Sequence, residues 1–335
     1  KVGNRVMTFK YNNVYINETS TITGPYESEG PFSKLYDKSY NDFYFKRDTI
    51  EQGEIKLIEE SVDILLNKAK KNKDNIDVFI SGDLSNQLGA SNYASVNVNL
   101  PYLGIYNACA TSAEGIIIAS NMIEGNKLKN IIVSSSSHNL TAEKQFRYPN
   151  EYGAPKKIYS TFTTTGAASA LISSNKKGIR VESSTIGTPI DLGVNDVNNM
   201  GAIMAPAAAS VIYNHLKDTK RLPGYYDLIL TGDLGVYGKE ILIDYMESEY
   251  NMNLYNLKDA GSIIFDLEKQ KVNAGGSGVA CLPLVTYSYV FDKMRKGDYE
   301  RVLIVATGAL LNTNLVNQRL TIPAVAHAVS LEVIE

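Results

Sequence analysis

The sequence predicts an α/β protein made of two similar halves, and three observations support this. Strand-like apolar segments alternate with helix-like segments, which is the pattern of mostly parallel sheets joined by right-handed crossovers. Three segments recur in the same order at a spacing of about 150 to 170 residues, close to the size of one domain. The 335 residues are enough to bury the core of such a pair. We therefore expect an N-terminal half over residues 1–185 and a C-terminal half over residues 186–335.

The internal repeat relates the strands and helices of one half to those of the other. The matching pairs are residues 76–83 (IDVFISGD) with 226–233 (YDLILTGD), Cys109 and its helix with Cys281 and its helix, and residues 166–172 (GAASALI) with 326–332 (AHAVSLE). Because the two cysteines occupy corresponding places, we expect both helix N-termini to meet near a pseudo-twofold axis.

The elements of the first half follow from the spacing of apolar residues. Residues 49–72 place apolar side chains on one face of a predicted helix. Asp48 and Glu51 are predicted to cap the start of this helix. A second helix is predicted over residues 110–126, after the turn that carries Cys109. Strands are expected at residues 14–16, 76–81, 130–135, 166–172 and 179–184.

The second half repeats this alternation of elements. Its strands are short and apolar, and the first of them ends at a Gly-Asp pair like its counterpart in the first half. Helices are expected at residues 202–217, 238–250 and 279–296, and strands at residues 226–231, 301–306 and 324–334.

Composition and charge exclude several classes of function. The chain carries 33 Lys+Arg against 36 Asp+Glu, so it has no basic excess for binding nucleic acid. No apolar run reaches the ~20 residues needed to cross a bilayer. Two cysteines do not make a disulfide framework and indicate a reducing cytosol, and no Cys/His cluster has the spacing of a metal site. The Gly-rich residues 275–278 lack the Lys-Ser/Thr ending of a nucleotide loop.

Cys109 lies in a turn of small residues, 107–115 (NACATSAEG), that opens a predicted helix. The positive end of a helix dipole and its free N–H groups stabilise a thiolate, which is what a nucleophilic cysteine needs. A buried structural cysteine is the alternative, because free cysteines are among the most buried residues. Position and turn alone leave both readings open.

Other polar residues follow the strand at 130–135. The run at residues 134–139 (SSSSHN) is either a functional loop at a strand end or a solvated turn. Of the three histidines, His138 is expected to face the pocket, His215 to lie on the surface at a helix end, and His327 to be a core residue in the last strand.

The Cys109 turn and the duplicated halves resemble the thiolase-like fold of thiolases and ketoacyl synthases over about residues 50–335. That resemblance implies two pseudo-symmetric βαβ-type halves in five layers (α-β-α-β-α), with a nucleophilic cysteine on the first half. The family's catalytic histidine has no counterpart here: its places fall on Leu282 and on residues 231–233. Asn273, in residues 273–276 (NAGG), matches the family's second-half Asn/Gly motif.

Several motifs are similar to those of the stage V sporulation protein AD family of spore-forming bacteria. They are residues 135–139 (SSSHN), 142–149 (AEKQFRYP), 151–153 (EYG) and 273–278 (NAGGSG). The resemblance implies binding of dipicolinic acid, alone or with calcium, for uptake into the forming spore and release at germination. It also implies a peripheral place on the cytoplasmic side of the spore inner membrane, alongside membrane proteins of the same operon.

Three functions therefore remain open on the sequence. The first is ligand binding on a degenerate condensing-enzyme scaffold. The second is an active cysteine acyltransferase that uses Cys109 with His138 as an unusual base. The third is a structural partner with a vestigial pocket.

The expected ligand site lies between the halves. Helix N-termini, hydroxyls and an amide would donate hydrogen bonds to carboxylates, and Arg147 would clamp one of them. The predicted site residues are Cys109, Ser136, His138, Arg147, Asp233, Asn273 and Cys281. Asp233 would either cap the following helix or join the oxygen shell of a calcium ion carried by the ligand. A homodimer is expected through residues 166–171, whose small side chains permit close approach.

Overall fold

The computed structural model describes residues 7–146 and 156–334. Up to residue 146, strands alternate with four helices. These elements are β1 (Met7–Lys10), β2 (Tyr15–Thr23), β3 (Lys38–Ser39), α1 (Ile50–Ala69), β4 (Val78–Gly82), α2 (Gly89–Val98), β5 (Tyr102–Gly104), α3 (Thr111–Glu124), β6 (Asn130–Ser137) and α4 (Asn139–Phe146).

From residue 156 onward the same alternation continues. The elements are β7 (Phe162–Thr163), β8 (Gly166–Ser173), β9 (Ile179–Ile186), α5 (Met200–Thr219), β10 (Leu228–Thr231), α6 (Gly235–Tyr250), β11 (Leu257–Asp259), α7 (Ala260–Ile263), β12 (Gly276–Ser277), α8 (Cys281–Val285), α9 (Phe291–Arg295), β13 (Arg301–Ala309), α10 (Thr313–Asn317) and β14 (Ala324–Val333). A π-helical turn, Thr286–Val290, joins α8 to α9.

The strand order confirms two similar halves. One half is ordered β5-β4-β6-β8-β2 and the other β11-β10-β13-β14-β9, and the two join where β2 meets β9. In each half the first two pairings are parallel and the last two antiparallel. Only half of these strand pairings are therefore parallel, whereas the crossover pattern predicts mostly parallel pairings. By strand pairing, the division between the halves falls between β8 and β9, somewhat before residue 185.

Five layers result from the packing of helices on these strands. Helices α1 and α2 cover the outer face of the first half, and α5 and α6 cover the outer face of the second. Helix α3 lies between the halves, in contact with β6 on one side and with β13 and β14 on the other. The largest apolar cluster spans both halves and contains Ile116 of α3 together with Leu284 of α8. The predicted α-β-α-β-α arrangement is thus confirmed.

Local capping differs from the prediction at the start of α1. The side chain of Thr49, rather than Asp48, accepts a hydrogen bond from Gln52 N at 3.2 Å. Lys70 ends the helix in the left-handed conformation with φ of 52°. Both features fit standard helix ends, because an N-cap hydroxyl satisfies a free N–H and a left-handed residue terminates the last turn.

The predicted dimer segment lies inside the sheet. Strand β8 is hydrogen-bonded to β2 on one side and to β6 on the other, and all eight of its residues are buried. It therefore has no free edge for a second copy, and this placement of the dimer contact is wrong. None of the helices in the described parts of the chain combines the length and the apolar character that a bilayer crossing requires.

Candidate functional site

A strained turn presents Cys109 at the start of α3. Ala108, just before it, has φ of +48°, which a residue with a Cβ rarely adopts. The hydroxyl of Thr111 holds the turn by accepting from Asn107 N at 2.9 Å and donating to Ala108 O at 2.6 Å. Gly308 of β13 passes beneath, where a Cβ would lie 2.6 Å from Asn107 O. The hydrogen bonds of Thr111 and the close approach of Gly308 therefore fix the conformation of the turn.

His327 supports this turn from the second half. Its Nε2 lies 2.7 Å from the side-chain amide of Asn107, and its Nδ1 accepts from Gly187 N at 3.2 Å. Burial lowers the pKa of His327 to about 4, so the ring is neutral. The prediction of a core histidine is confirmed here. For His215 the surface prediction is wrong, because the ring is buried and bonded to the hydroxyls of Thr185 and Tyr226.

The thiol of Cys109 faces the carboxylate of Asp233, which follows β10 in the second half. Both side chains line the same cleft, close enough for the carboxylate to act on the protonation of the thiol. Asp233 also accepts from the Thr307 hydroxyl at 2.6 Å and from Gly278 N at 3.2 Å. These contacts join the two halves at one point.

Burial and the proximity of the two side chains determine the protonation states of Asp233 and Cys109. Burial raises the pKa of Asp233 to about 6, although the hydrogen bonds from Thr307, Cys109 and Gly278 oppose the rise. Burial, followed by the charge of Asp233, raises the pKa of the Cys109 thiol well above its ordinary value. The thiolate expected from the helix N-terminus is therefore not favoured, because burial and then the charge of Asp233 raise the pKa of the thiol.

Cys109 is half-buried in a cleft of about 70 Å³. Asp233 is the one charged side chain among the described residues that line it. Apolar side chains form most of the wall, and four hydroxyls interrupt it, those of Tyr106, Thr161, Thr163 and Ser277.

Three predicted site residues are used elsewhere. Ser136 is fully buried and donates to Glu54 Oε1 of α1 at 3.0 Å, on the outer face of the sheet. His138 packs against the rings of Phe43 and Phe45, and its Nε2 lies 2.8 Å from Phe43 O. Cys281 is 0 % exposed within the central apolar cluster. The expected convergence of these three with Cys109 in one pocket is therefore wrong.

The last two predicted residues lie apart from the Cys109 cleft or outside the described chain. Asn273 is exposed and lines a neighbouring cleft. Arg147 lies outside the described residues, directly after Phe146, which lines the Cys109 cleft. The sequence did not predict the site residues Thr161 and Thr163. They follow the motifs in residues 142–153 but belong to no recognisable motif themselves.

The N-terminus of α8 is not a free anion site. The N–H groups at its start are taken, because Gly278 N donates to Asp233, Ala280 N donates to the Ser137 hydroxyl at 3.2 Å, and Cys281 N donates to Gly278 O at 3.1 Å. Asp233 does not cap α6 either. That task belongs to Asp259, which accepts from the backbone N–H groups of residues 234 and 235 at 2.9 Å.

The donor set does not form a resident calcium site. Within residues 7–146 and 156–334, no three Asp, Glu, His or Cys side chains are grouped as metal ligands. Asp233 alone supplies one carboxylate, whereas calcium takes six to eight oxygens. A calcium ion at this cleft would have to arrive with most of its ligands already bound.

Sequence comparison identifies close relatives of the chain. The sequence model described as stage V sporulation protein AD matches residues 3–332. A curated protein of Bacillus subtilis (strain 168), named stage V sporulation protein AD, is 41 % identical over 319 residues, covering 95 % of this chain and 94 % of the relative.

Structure comparison finds distant proteins of the same fold. The 3-oxoacyl-[acyl-carrier-protein] synthase III of Aquifex aeolicus has a TM-score of 0.56 at 12 % identity and covers 99 % of this chain and 100 % of its own. An OleA structure of Xanthomonas campestris has a TM-score of 0.65 at 12 % identity, with coverages of 97 % and 99 %. Another OleA, with bound lauric acid and lauroyl-CoA, has a TM-score of 0.63 at 12 % identity, with coverages of 96 % and 100 %. At this identity the likeness establishes the thiolase-like fold.

Proposed function

Because the chain belongs to the stage V sporulation protein AD family, we propose that it binds dipicolinic acid, or its calcium complex, in the Cys109 cleft. The ligand is taken up into the forming spore and released at germination. The observation that carries the proposal is the pairing of Cys109 with Asp233, which leaves an open cleft with a protonated thiol. Such a thiol contributes shape and hydrogen bonding rather than nucleophilic attack.

The wall of the cleft suits a small aromatic dicarboxylate. Side chains of Phe146, Met200 and Met204 offer apolar surface to a flat ring. Hydroxyls of Thr163 and Ser277 are donors for carboxylate oxygens. These contacts fix orientation without a buried cation, which is typical of small-molecule sites.

The charge of Asp233 bears on the form of the ligand. A free dicarboxylate approaching a carboxylate is repelled, unless Asp233 is protonated, and its pKa of about 6 permits this in mildly acidic solution. A calcium complex removes the repulsion, because the ion lies between the carboxylates and Asp233 supplies one more oxygen. At neutral pH, added calcium should therefore strengthen binding if the calcium complex is the ligand, and weaken it if the free dicarboxylate is the ligand.

Acyl transfer by Cys109 is the alternative function, favoured by the shared fold with an OleA that holds lauroyl-CoA. The base proposed for it, His138, does not line the cleft, and its Nε2 contacts the Phe43 carbonyl. Mass spectrometry after incubation with acyl thioesters distinguishes the two. A stable acyl adduct on Cys109 would support the enzyme and contradict pure binding.

Calorimetric titration with dipicolinate, with and without calcium, tests the proposal. Cys109→Ser should keep most of the affinity, because a hydroxyl still donates to Asp233. Cys109→Leu should weaken binding at least about tenfold, because the longer side chain fills the cleft. Cys281→Ser is the matched control outside the cleft. If Cys109→Leu binds with wild-type affinity, the ligand binds elsewhere. If the wild type does not bind dipicolinate, the remaining hypothesis is a structural partner with a vestigial pocket.

The place of action follows from the same proposal. We infer a peripheral position on the cytoplasmic side of the spore inner membrane, held there by membrane proteins of the same operon. Flotation of the protein with vesicles that contain those partners, and not with empty vesicles, is the expected result. Equal flotation with both would contradict docking through a protein.

A further inference from the structure

A second cleft adjoins the Cys109 cleft, and Thr161 lines both. Its volume is about 240 Å³. Two chain segments form its walls, and they carry Lys156 and Phe162 on one side and Lys271 and Asn273 on the other.

Backbone contacts hold these two segments together. Strands β7 and β12 pair in parallel, with Phe162 opposite Gly276. Ala274 N donates to Ser160 O at 3.0 Å, and the Asn273 amide reaches Lys157 O at 3.4 Å. The lysines are therefore presented by a paired framework rather than by two independent loops.

The charge of this cleft differs from that of its neighbour. Lys156 Nζ lies 2.9 Å from Glu143 Oε1, so its charge is partly compensated. Lys271 is exposed and has no ion-pair partner among the described residues. Phe162 adds an aromatic surface, stacked at 4.6 Å on Tyr26, with Lys156 Nζ 5.9 Å from its centroid.

Among the described residues that line the Cys109 cleft, Asp233 carries the single charge, and that charge is negative. An anion that enters the cleft is therefore not attracted by a cation in the described wall. Unpaired cations next to such a cleft raise the local concentration of anions and speed their association. The lysine cleft supplies this attraction beside Thr161, which among the described residues lines both clefts.

We propose that the cleft of Lys156, Phe162, Lys271 and Asn273 is an outer capture site for small aromatic carboxylates, from which the ligand passes Thr161 into the Cys109 cleft. This rests on the proposed binding function. Lys271 attracts a carboxylate, Asn273 donates to it, and Phe162 contacts the ring. The outer site governs how fast the ligand arrives, and the inner site governs how long it stays.

Stopped-flow and calorimetric titration of dipicolinate into the full chain tests this proposal. Lys271→Gln should lower the association rate about tenfold at low salt and leave the dissociation rate nearly unchanged, because rim charges act on encounter. The wild-type rate should fall with added salt, and the variant rate should depend on salt much less. Lys271→Arg should restore both the rate and its salt dependence.

Two further variants sharpen the result. Glu143→Gln should raise the association rate, because it removes the carboxylate that competes for Lys156. Lys127→Gln is the control, since this exposed lysine precedes β6 at the opposite end of the sheet. If wild type binds and Lys271→Gln matches it in rate and salt dependence, the capture site is refuted while the proposed function stands. If wild type does not bind, both fall.

Discussion

The Cys109 thiol of the first half lies beside the Asp233 carboxylate of the second, and both line one cleft at the junction of the halves. An imidazole in this position would accept the thiol proton and then stabilise the thiolate as a cation. A carboxylate does the opposite, because its negative charge raises the cost of a second negative charge nearby. The carboxylate at the end of β10 thus adds to the effect of burial in keeping the Cys109 thiol protonated.

Replacing Asp233 should release the reactivity of the thiol. In Asp233→Asn the negative charge is gone, so the pKa of Cys109 should fall and alkylation by iodoacetamide at pH 8 should accelerate about tenfold. Mass spectrometry of the labelled peptide measures the rate. Cys109→Ser in the same background is the control, since the remaining cysteine, Cys281, is 0 % exposed. An unchanged rate would show that Asp233 does not control the thiol.

Buried carboxyls should make the protein less stable as the pH rises. Burial raises the pKa of Glu27 and of Glu54 to about 8, of Asp259 to about 7 and of Asp233 to about 6. Between their ordinary values and these raised values, the folded chain binds more protons than the unfolded chain. Its free energy of unfolding therefore falls with increasing pH across this window. Urea denaturation from pH 5 to pH 8 measures the fall.

Glu54 offers a test of a single member of this group. Its carboxyl lies within hydrogen-bond distance of Ser136 and Thr141, both at 3.0 Å, and an uncharged amide satisfies the same neighbours. Glu54→Gln should therefore flatten the pH dependence and raise the stability at pH 8 relative to wild type. Asp63→Asn, at an exposed carboxyl of the same helix, is the control. Stability that rises from pH 5 to pH 8 would contradict the assignment.

The fold was predictable because the central strands are short, apolar and repeated. β4 and β10 each end at Gly-Asp, and the sequence shows this without any structure. Helix α2 was missed because two of its larger side chains, Tyr93 and Val96, are exposed, so its apolar periodicity is weak.

The site was harder to predict because single-residue register decides which face a side chain occupies. On β6, Ser136 turns outward to Glu54, whereas Ser137 turns inward to Ala280 N. The serine run contains both, and sequence does not distinguish them. The cysteines differ similarly: Cys109 precedes the N-cap of α3, whereas Cys281 follows the N-cap of α8 and enters the core.

Because the strand first expected to pair lies inside the sheet, we predict instead that a homodimer forms through the edge strand β5. This strand ends the sheet order, and its Leu103 is 40 % exposed. Helix α2 packs beside it and exposes Tyr93 and Val96 by 71 % and 74 %. An open edge beside apolar side chains favours pairing with a second copy across a twofold axis.

Light scattering at micromolar protein should therefore give the mass of a dimer. Val96→Glu should convert it to a monomer, because two like charges would face each other across the axis. Leu222→Glu is the matched control, since Leu222 is also 74 % exposed but precedes β10 in the other half. A monomeric wild type would refute the dimer, and a dimeric Val96→Glu would move the contact away from β5.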